Sequence, residues 1–445
     1  MKRFLFLLLL AGSWCAATAQ SADERAGMCM NSSDWFGLLD IYENENDSLS
    51  PFIRAFAKAM TDDAFNQNEA AVKSIGELIA DHQEEMGMAN IASMVFFMAS
   101  NLSEMGQNEA AANTLKSFLD QSKALFDSTS CAVLEKQEKI YRDLSAYEVN
   151  RIENPDRLHE IPFDLDSVGR QGKRSVAIMM RGSVNGTPYK IVFDTGAGIN
   201  VITPECARQL NLTPLDAQIS MSGMGTAEGV LAIADRVQLG SLTLRNVPFY
   251  IVEMTTGVDS LDKYLSHCDC VMGVPLMQAF GEVQMDFSSN HLTVPAVQTD
   301  SSLRNLYMNA GNGIILQADH EGEKMQFHID TGDAGFGSLS YPYYSKNAHF
   351  IEEKGDTTTY ESAGIGGAQR VRAYNLHDFN VEVDGVGCSI PQIPVVAEPD
   401  NMAGGSPMID GRLGVKFFTQ FKRVTINLRK MFFRLEGKSE KQGNF

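Results

Sequence analysis

"YKIVFDTGAGINVITPECARQL" (Tyr189 to Leu210) sets an apolar run against an acid, Asp194, and turns through Thr195 and Gly196 into a second apolar stretch. "MQFHIDTGDAGFGSLS" (Met325 to Ser340) repeats the arrangement around Asp330, Thr331 and Gly332. A carboxylate at the end of a buried strand is penalised by desolvation, so two such placements in one chain need a chemical reason. Gly186 lies eight residues before Asp194, and Gly322 eight before Asp330. Each acid therefore closes the second strand of a hairpin, the first of which turns at Asn185-Gly186.

Downstream the likeness continues. "VMGVPLMQAFGEVQMDFSSNHLTV" (Val271 to Val294) aligns without gaps to "RLGVKFFTQFKRVTINLRKMFFRL" (Arg412 to Leu435), matching Gly273 to Gly414, Val274 to Val415, Phe280 to Phe421 and Val283 to Val424. Between these ends each copy carries a Gly-rich turn, "SGMGTAEG" (Ser222 to Gly229) and "AGIGGAQ" (Ala363 to Gln369), followed by a strand with Val247-Pro248 or Ile393-Pro394. Features recurring in one order make a duplicated domain, whereas a single Asp-Thr-Gly is more often an ordinary strand-end turn.

Two such copies resemble the lobes of aspartic proteases, and more closely the retropepsin-like branch, in a bacterial, exported form with two retropepsin-type lobes fused in one chain. The resemblance covers about Ser175 to Leu435. It implies an all-β, pseudo-twofold bilobal fold, lobe 1 at 174–300 and lobe 2 at 301–437, with Asp194 and Asp330 as catalytic acids. It further implies that Thr195 and Thr331 brace the two loops against each other. Gly196 and Gly332 let the backbone turn beneath the acids. The flaps over an extended peptide would be Gly223, Met224 and Gly225 in one lobe and Gly364, Ile365, Gly366 and Gly367 in the other.

The chemistry accounts for the costly placement. Two carboxylates brought to about 3 Å share one proton, so one serves as base toward a water while the other polarises the scissile carbonyl. Such a pair needs neither cofactor nor metal. Each copy supplies only half of it.

The second motif departs from the first. It reads "DTGDAG", and the distance to the next apolar pair is one residue longer. Asp333 is thus either a substitution or an insertion. If it points inward, a third carboxylate raises the pair's apparent pKa values; if outward, nothing follows.

From Asp34 to about Tyr147 the pattern is helical, with Ile91, Val95, Met98 and Leu102 on one face and Ser50-Pro51 as cap and first turn. "QNEAAVKSIGEL" (Gln67 to Leu78) recurs as "QNEAAANTLKSF" (Gln107 to Phe118). A period of 40 fits either tetratricopeptide-like stacked helix pairs or a bundle in which two helices look alike. Residues 20–150 therefore form an α-helical repeat-like domain, 151–173 a polar linker with two prolines, and 438–445 a polar tail.

"MKRFLFLLLLAGSWCAATAQ" has the basic start, apolar stretch and small residues of a secretory signal over 1–19, with the mature chain starting at Gln20. Trp14 before Cys15 fits a lipoprotein site poorly. The expectation is an exported, periplasmic or secreted protein without a transmembrane segment. Removing Lys2 and Arg3 takes the net charge from -19 to -21, and segment 20–150 holds 22 acids against 9 bases. A polyanion of this kind is a poor nucleic-acid partner. That acidic segment also suits poorly the role of a basic inhibitory propeptide, so it is read as recruiting a protein partner.

Six cysteines remain after the signal, and Cys29 with Cys131 is one pairing that would clamp the helical region. "SHCDC" (Ser266 to Cys270) places two thiols beside His267 but lacks a second cluster, so no metal is expected. Gly-x-Ser-x-Gly, His-Glu-x-x-His and P-loop motifs are absent. The function expected is an aspartic endopeptidase acting on peptide or protein substrates. The alternative is an inactive peptide-binding scaffold on the same fold.

Overall fold

The computed structural model describes residues 20–170, 173–223, 225–258, 262, 268–399 and 408–438. The signal-like segment 1–19, Met224, His267 and all but the first residue of the tail 438–445 lie outside them. Two units divide between Glu148 and Val149, one helical and one built of β-sheet.

The helical unit runs through Ala22–Ser32, Trp35–Asn44, Pro51–Ala64, Asn68–Glu104, Asn108–Ser122 and Ser128–Leu144. Both copies of the repeated motif open helices from a glutamine in the same backbone conformation, Gln67 at φ -92, ψ 62 and Gln107 at φ -89, ψ 53. The long helix Asn68–Glu104 is two helices joined across a break, where His82 and Gly87 leave helical geometry and Gly87 adopts φ +70. Ile91, Val95 and Leu102 are buried, as their spacing predicts, while Met98 of the same face is half-buried. The six cysteines, Cys29 and Cys131 among them, are free thiols, so no disulfide clamps this unit.

In the β unit each lobe begins with a hairpin whose turn needs left-handed backbone. Asn185 and Gly186 sit at φ 48 and 83, and Glu321 and Gly322 at φ 52 and 88, the geometry a twisted hairpin favours. The second strand of each, Thr187–Phe193 and Glu323–Asp330, runs parallel to a short partner, Cys270–Met272 and Gly411–Gly414 respectively. Ile191, Val192, Phe193, Phe327 and Ile329 are buried on these strands. A parallel strand covered on both faces reads as a continuous apolar run, and an acid at its end is delivered to the floor of whatever lies above.

The lobes are joined by strands Glu282–Asp286 and Phe421–Asn427, which pair antiparallel. Gln284 faces Thr425, its own counterpart in the duplication, so the local twofold axis passes between them. Beneath, Val283, Met285, Val424, Ile426, Phe421 and Phe433 are buried.

One expectation needs correction. Within residues 151–173, read as a linker, Arg151–Ile152 pairs with Leu244 and Arg245, and His159–Arg170 pairs with both His291–Val294 and Lys173–Val184. The alternation is there in the side chains: His159, Ile161 and Phe163 are buried while their neighbours are not. Pro162 and the intervening acids hide that two-residue period in sequence.

Candidate active site

Asp194 follows the strand Thr187–Phe193, and Asp330 ends the strand Glu323–Asp330. The following threonines cross from lobe to lobe. The Thr195 N–H donates to Thr331 Oγ1 at 3.0 Å, and the Thr331 N–H to Thr195 Oγ1 at 2.9 Å. Each hydroxyl donates onward, Thr195 to the Ile329 carbonyl at 3.1 Å and Thr331 to the Phe193 carbonyl at 3.0 Å. Both threonines are fully buried. Four buried hydrogen bonds at ~1 kcal/mol each tie the carbonyl before one acid to the loop of the other.

That lock brings the acids together. The Gly332 N–H is shared between Asp194 Oδ1 at 3.1 Å and Asp330 Oδ1 at 3.0 Å, and the Gly196 N–H donates to Asp194 Oδ1 at 2.8 Å. Glycine is required beneath them: a Cβ at Gly196 would lie 2.3 Å from Asp330 Oδ1, and one at Gly332 2.5 Å from Asp194 Oδ2.

The pair is electrostatically unequal. Burial, then the charge of Asp330, pushes the Asp194 carboxyl up to about 7. Burial acts the same way on Asp330 and is the largest single influence there, but the charge of Arg412, that of His328 and the hydrogen bonds of Arg412 and the Asp333 N–H together outweigh it. Arg412 Nη1 lies 3.0 Å from Asp330 Oδ2. Asp330 therefore falls below its ordinary range, opposite to the rise expected from a third acid.

Asp333 is a substitution. Its N–H donates to the Asp330 carbonyl and its carbonyl accepts from Val415, as Ala197 does with Asp194 and Val274, so it stands in the place of Ala197 and the extra residue comes later in the loop. Its carboxylate accepts from the Gly335 N–H at 2.8 Å, while its own N–H donates to Asp330 Oδ1 at 3.1 Å. Burial raises the Asp333 carboxyl and Arg412 opposes the rise. The arginine that absorbs this acid's influence is the residue missed in sequence. Its signal was in the alignment, where a charge replaces Val271.

The Gly-rich hairpins meet at their tips. Strands Thr213–Ser222 and Thr226–Leu239 form one, Asp356–Gly364 and Gly367–Val383 the other. The Gly225 N–H donates to the Ile365 carbonyl at 3.2 Å, and the Gly366 N–H to the Thr255 carbonyl at 3.0 Å. Gly366 takes φ +81 at the turn, with Gly364 and Gly367 paired on either side. Gly223 lies against the Ile365 carbonyl, where a Cβ would come within 2.7 Å. Tyr360, on the second hairpin, feels the charges of Asp333, Arg412 and Asp330. No group of acids, histidines and cysteines capable of holding a metal occurs among the described residues.

A family model described as aspartyl protease matches residues 180–263, which include Asp194 and the first Gly-rich hairpin. Among solved structures, basic 7S globulin from soybean is similar at 10% identity and TM-score 0.38, covering 64% of this chain and 95% of its own. Conglutin gamma, a basic 7S globulin from lupine seeds, is similar at 10% identity and TM-score 0.39 with the same coverage. A retropepsin-like aspartic protease from Rickettsia conorii is similar at 18% identity and TM-score 0.21, covering 33% of this chain and 93% of its own. No curated protein matches the sequence. Together the family match and the bilobal architecture support the conclusion that this chain contains an aspartic-protease-like domain.

Proposed function

We propose that the protein is an exported aspartic endopeptidase that hydrolyses peptide bonds with a water activated between Asp194 and Asp330. The observation that carries this reading is the Gly332 N–H shared by both carboxylates, which holds them within reach of one water. One acid takes a proton from that water as it attacks the scissile carbonyl, while the other hydrogen-bonds the carbonyl oxygen and protonates it. The nucleophile is water throughout, so no covalent intermediate forms.

The touching hairpin tips support an extended peptide as substrate. When they part and close again, main-chain groups at Gly223, Gly225 and Gly364 to Gly367 are free to bond a peptide backbone, with apolar side chains such as Ile365 setting preference. The helical unit supplies a surface for a protein partner or for positioning substrate. Export rests on the signal-like start of the chain. Among the described residues no helix is long and apolar enough to cross a membrane.

Incubating the purified chain from Gln20 onward with a diverse peptide library between about pH 3 and 8 tests the proposal. Cleavage that disappears in both Asp194→Asn and Asp330→Asn supports it. Peptide binding without cleavage in the unsubstituted protein would instead identify a scaffold.

A further inference from the structure

The two halves of the site descend from one duplicated plan, yet one of the positions at which they differ sets a permanent cation beside one acid and an apolar side chain beside the other. Val271 in lobe 1 packs among Met179, Val192 and Val201. Its counterpart in lobe 2 is Arg412, whose Nη1 stands 3.0 Å from Asp330 Oδ2, with side chains only 17% and 12% exposed. A cation held this close in a low-dielectric site favours the ionised form of the carboxylate it touches, and Arg remains protonated at every accessible pH. Val271 offers Asp194 nothing comparable.

The other groups around the pair preserve the imbalance. Asp330 is faced by Arg412, by His328 from its own strand, by the Asp333 N–H from its loop, by Tyr360 from the hairpin and by Asp194 across the axis. His328 is half-buried with its Nε2 out of solvent, which disfavours its charged form. Asp333 draws on the same arginine. Asp194 is faced by Asp330, by Cys268 and by the N–H groups of Gly196 and Gly332. Arg412 is thus the permanent cation of the set, and it sits on one side.

We infer that Arg412 is a positioning residue that fixes the proton of the pair on Asp194, making Asp330 the standing base and Asp194 the standing acid. The catalytic consequence rests on the peptidase reading; the charge assignment does not. In the addition step an O–H bond of the water breaks, its proton passes to Asp330, and the new C–O bond forms. The carbonyl π pair moves onto oxygen, which takes the proton of Asp194. In the collapse Asp330 delivers its proton to the leaving nitrogen as the C–N bond breaks, and a hydroxyl proton of the diol returns to Asp194. The site ends as it began, with Arg412 against the carboxylate. The raised Asp194 and lowered Asp330 carboxyls agree with this order.

Two measurements on the chain from Gln20 onward test the inference, and one of them is independent of activity. In thermal unfolding at about pH 7, Asp194→Asn imitates a protonated acid and leaves Tm unchanged or higher. Asp330→Asn strands a buried guanidinium and lowers Tm by roughly 10 °C, and the double variant Asp330→Asn/Arg412→Met recovers most of that loss. In pH profiles of kcat/KM, Arg412→Met moves the acid limb upward by about one pH unit or more, while Arg412→Lys keeps most of the original position. Equal Tm values for the two Asn variants would overturn the assignment. So would an Arg412→Met profile whose limbs stay in place while activity falls evenly, because that is the signature of a structural role. If Arg412→Met does not fold, Arg412→Lys and the Asn pair decide. If the unsubstituted protein cleaves nothing, the peptidase reading fails and the Tm comparison still decides where the proton resides.

Discussion

Thr195 and Thr331 hold each other's loops: each backbone N–H donates to the other's hydroxyl, at 3.0 and 2.9 Å, from opposite lobes. Thr331→Val removes an acceptor for the Thr195 N–H and a donor to the Phe193 carbonyl, leaving two buried backbone groups unpaired. At ~1–3 kcal/mol each, the loss is roughly 2–6 kcal/mol in denaturant unfolding. Thr331→Ser keeps the hydroxyl and loses about 1 kcal/mol for one methyl group. Equal destabilisation by the two variants would assign the residue's worth to packing.

Gly332 is constrained by the acid above it, with 2.5 Å between its would-be Cβ and Asp194 Oδ2. Gly332→Ala is expected to displace Asp194 and to lower kcat/KM at least ~100-fold, the scale set by a misplacement of about 1 Å. Circular dichroism should remain native-like. Retained activity would show that the two loops have slack that the geometry does not suggest.

At the hairpin tips, Gly366 combines φ +81 with a would-be Cβ 2.9 Å from the Gly225 carbonyl carbon. Gly366→Ala strains the turn by about 1 kcal/mol and pushes the tips apart. Steady-state kinetics should show KM rising several-fold with kcat changing less, as expected if the tips hold substrate, as proposed, without touching the reacting atoms. A pure kcat effect would contradict that division of labour.

Stability of the helical unit should depend on pH through Asp63. Burial raises this carboxyl to about 6, against the opposing hydrogen bond from Asn101 Nδ2 at 2.6 Å. Between about pH 4 and 6 the folded state holds a proton that the unfolded chain has released, so stability falls as pH rises and the whole penalty is present above about 6. Asp63→Asn removes it. The variant should gain about 2–3 kcal/mol at about pH 7.5 and nothing at about pH 3.5, read as helical signal against denaturant. Parallel pH profiles for the two proteins would refute this.

Much of the β unit was legible because it is written twice. The two Asp-Thr-Gly turns, the Asn185-Gly186 hairpin and the Gly-rich hairpins were all recovered at the positions their local chemistry demands. Turns of this kind depend on left-handed backbone or on close approach, and few residue types satisfy either. The strand His159–Arg170 was not legible, since its buried positions alternate with acids and one of them precedes Pro162. Nor was the partner of Asp330. Arg412 was visible as a charged residue aligned with Val271, but only folding places its guanidinium on an acid 82 residues away. Asp333 drew attention instead because it adjoins the motif in sequence, and its influence is absorbed by that same arginine.

The pH range of activity follows from the unequal pair. With Asp194 pushed up to about 7, the competent state, Asp194 protonated and Asp330 ionised, persists through mildly acidic pH and fades as pH rises past about 7. Below the lowered range of Asp330 it fades again. The most direct measurement is therefore kcat/KM for a peptide substrate at about pH 5.5 in the unsubstituted protein, Asp194→Asn and Asp330→Asn. The account predicts turnover in the first and a loss of at least ~1,000-fold in each variant, whereas undiminished cleavage by either variant would contradict it.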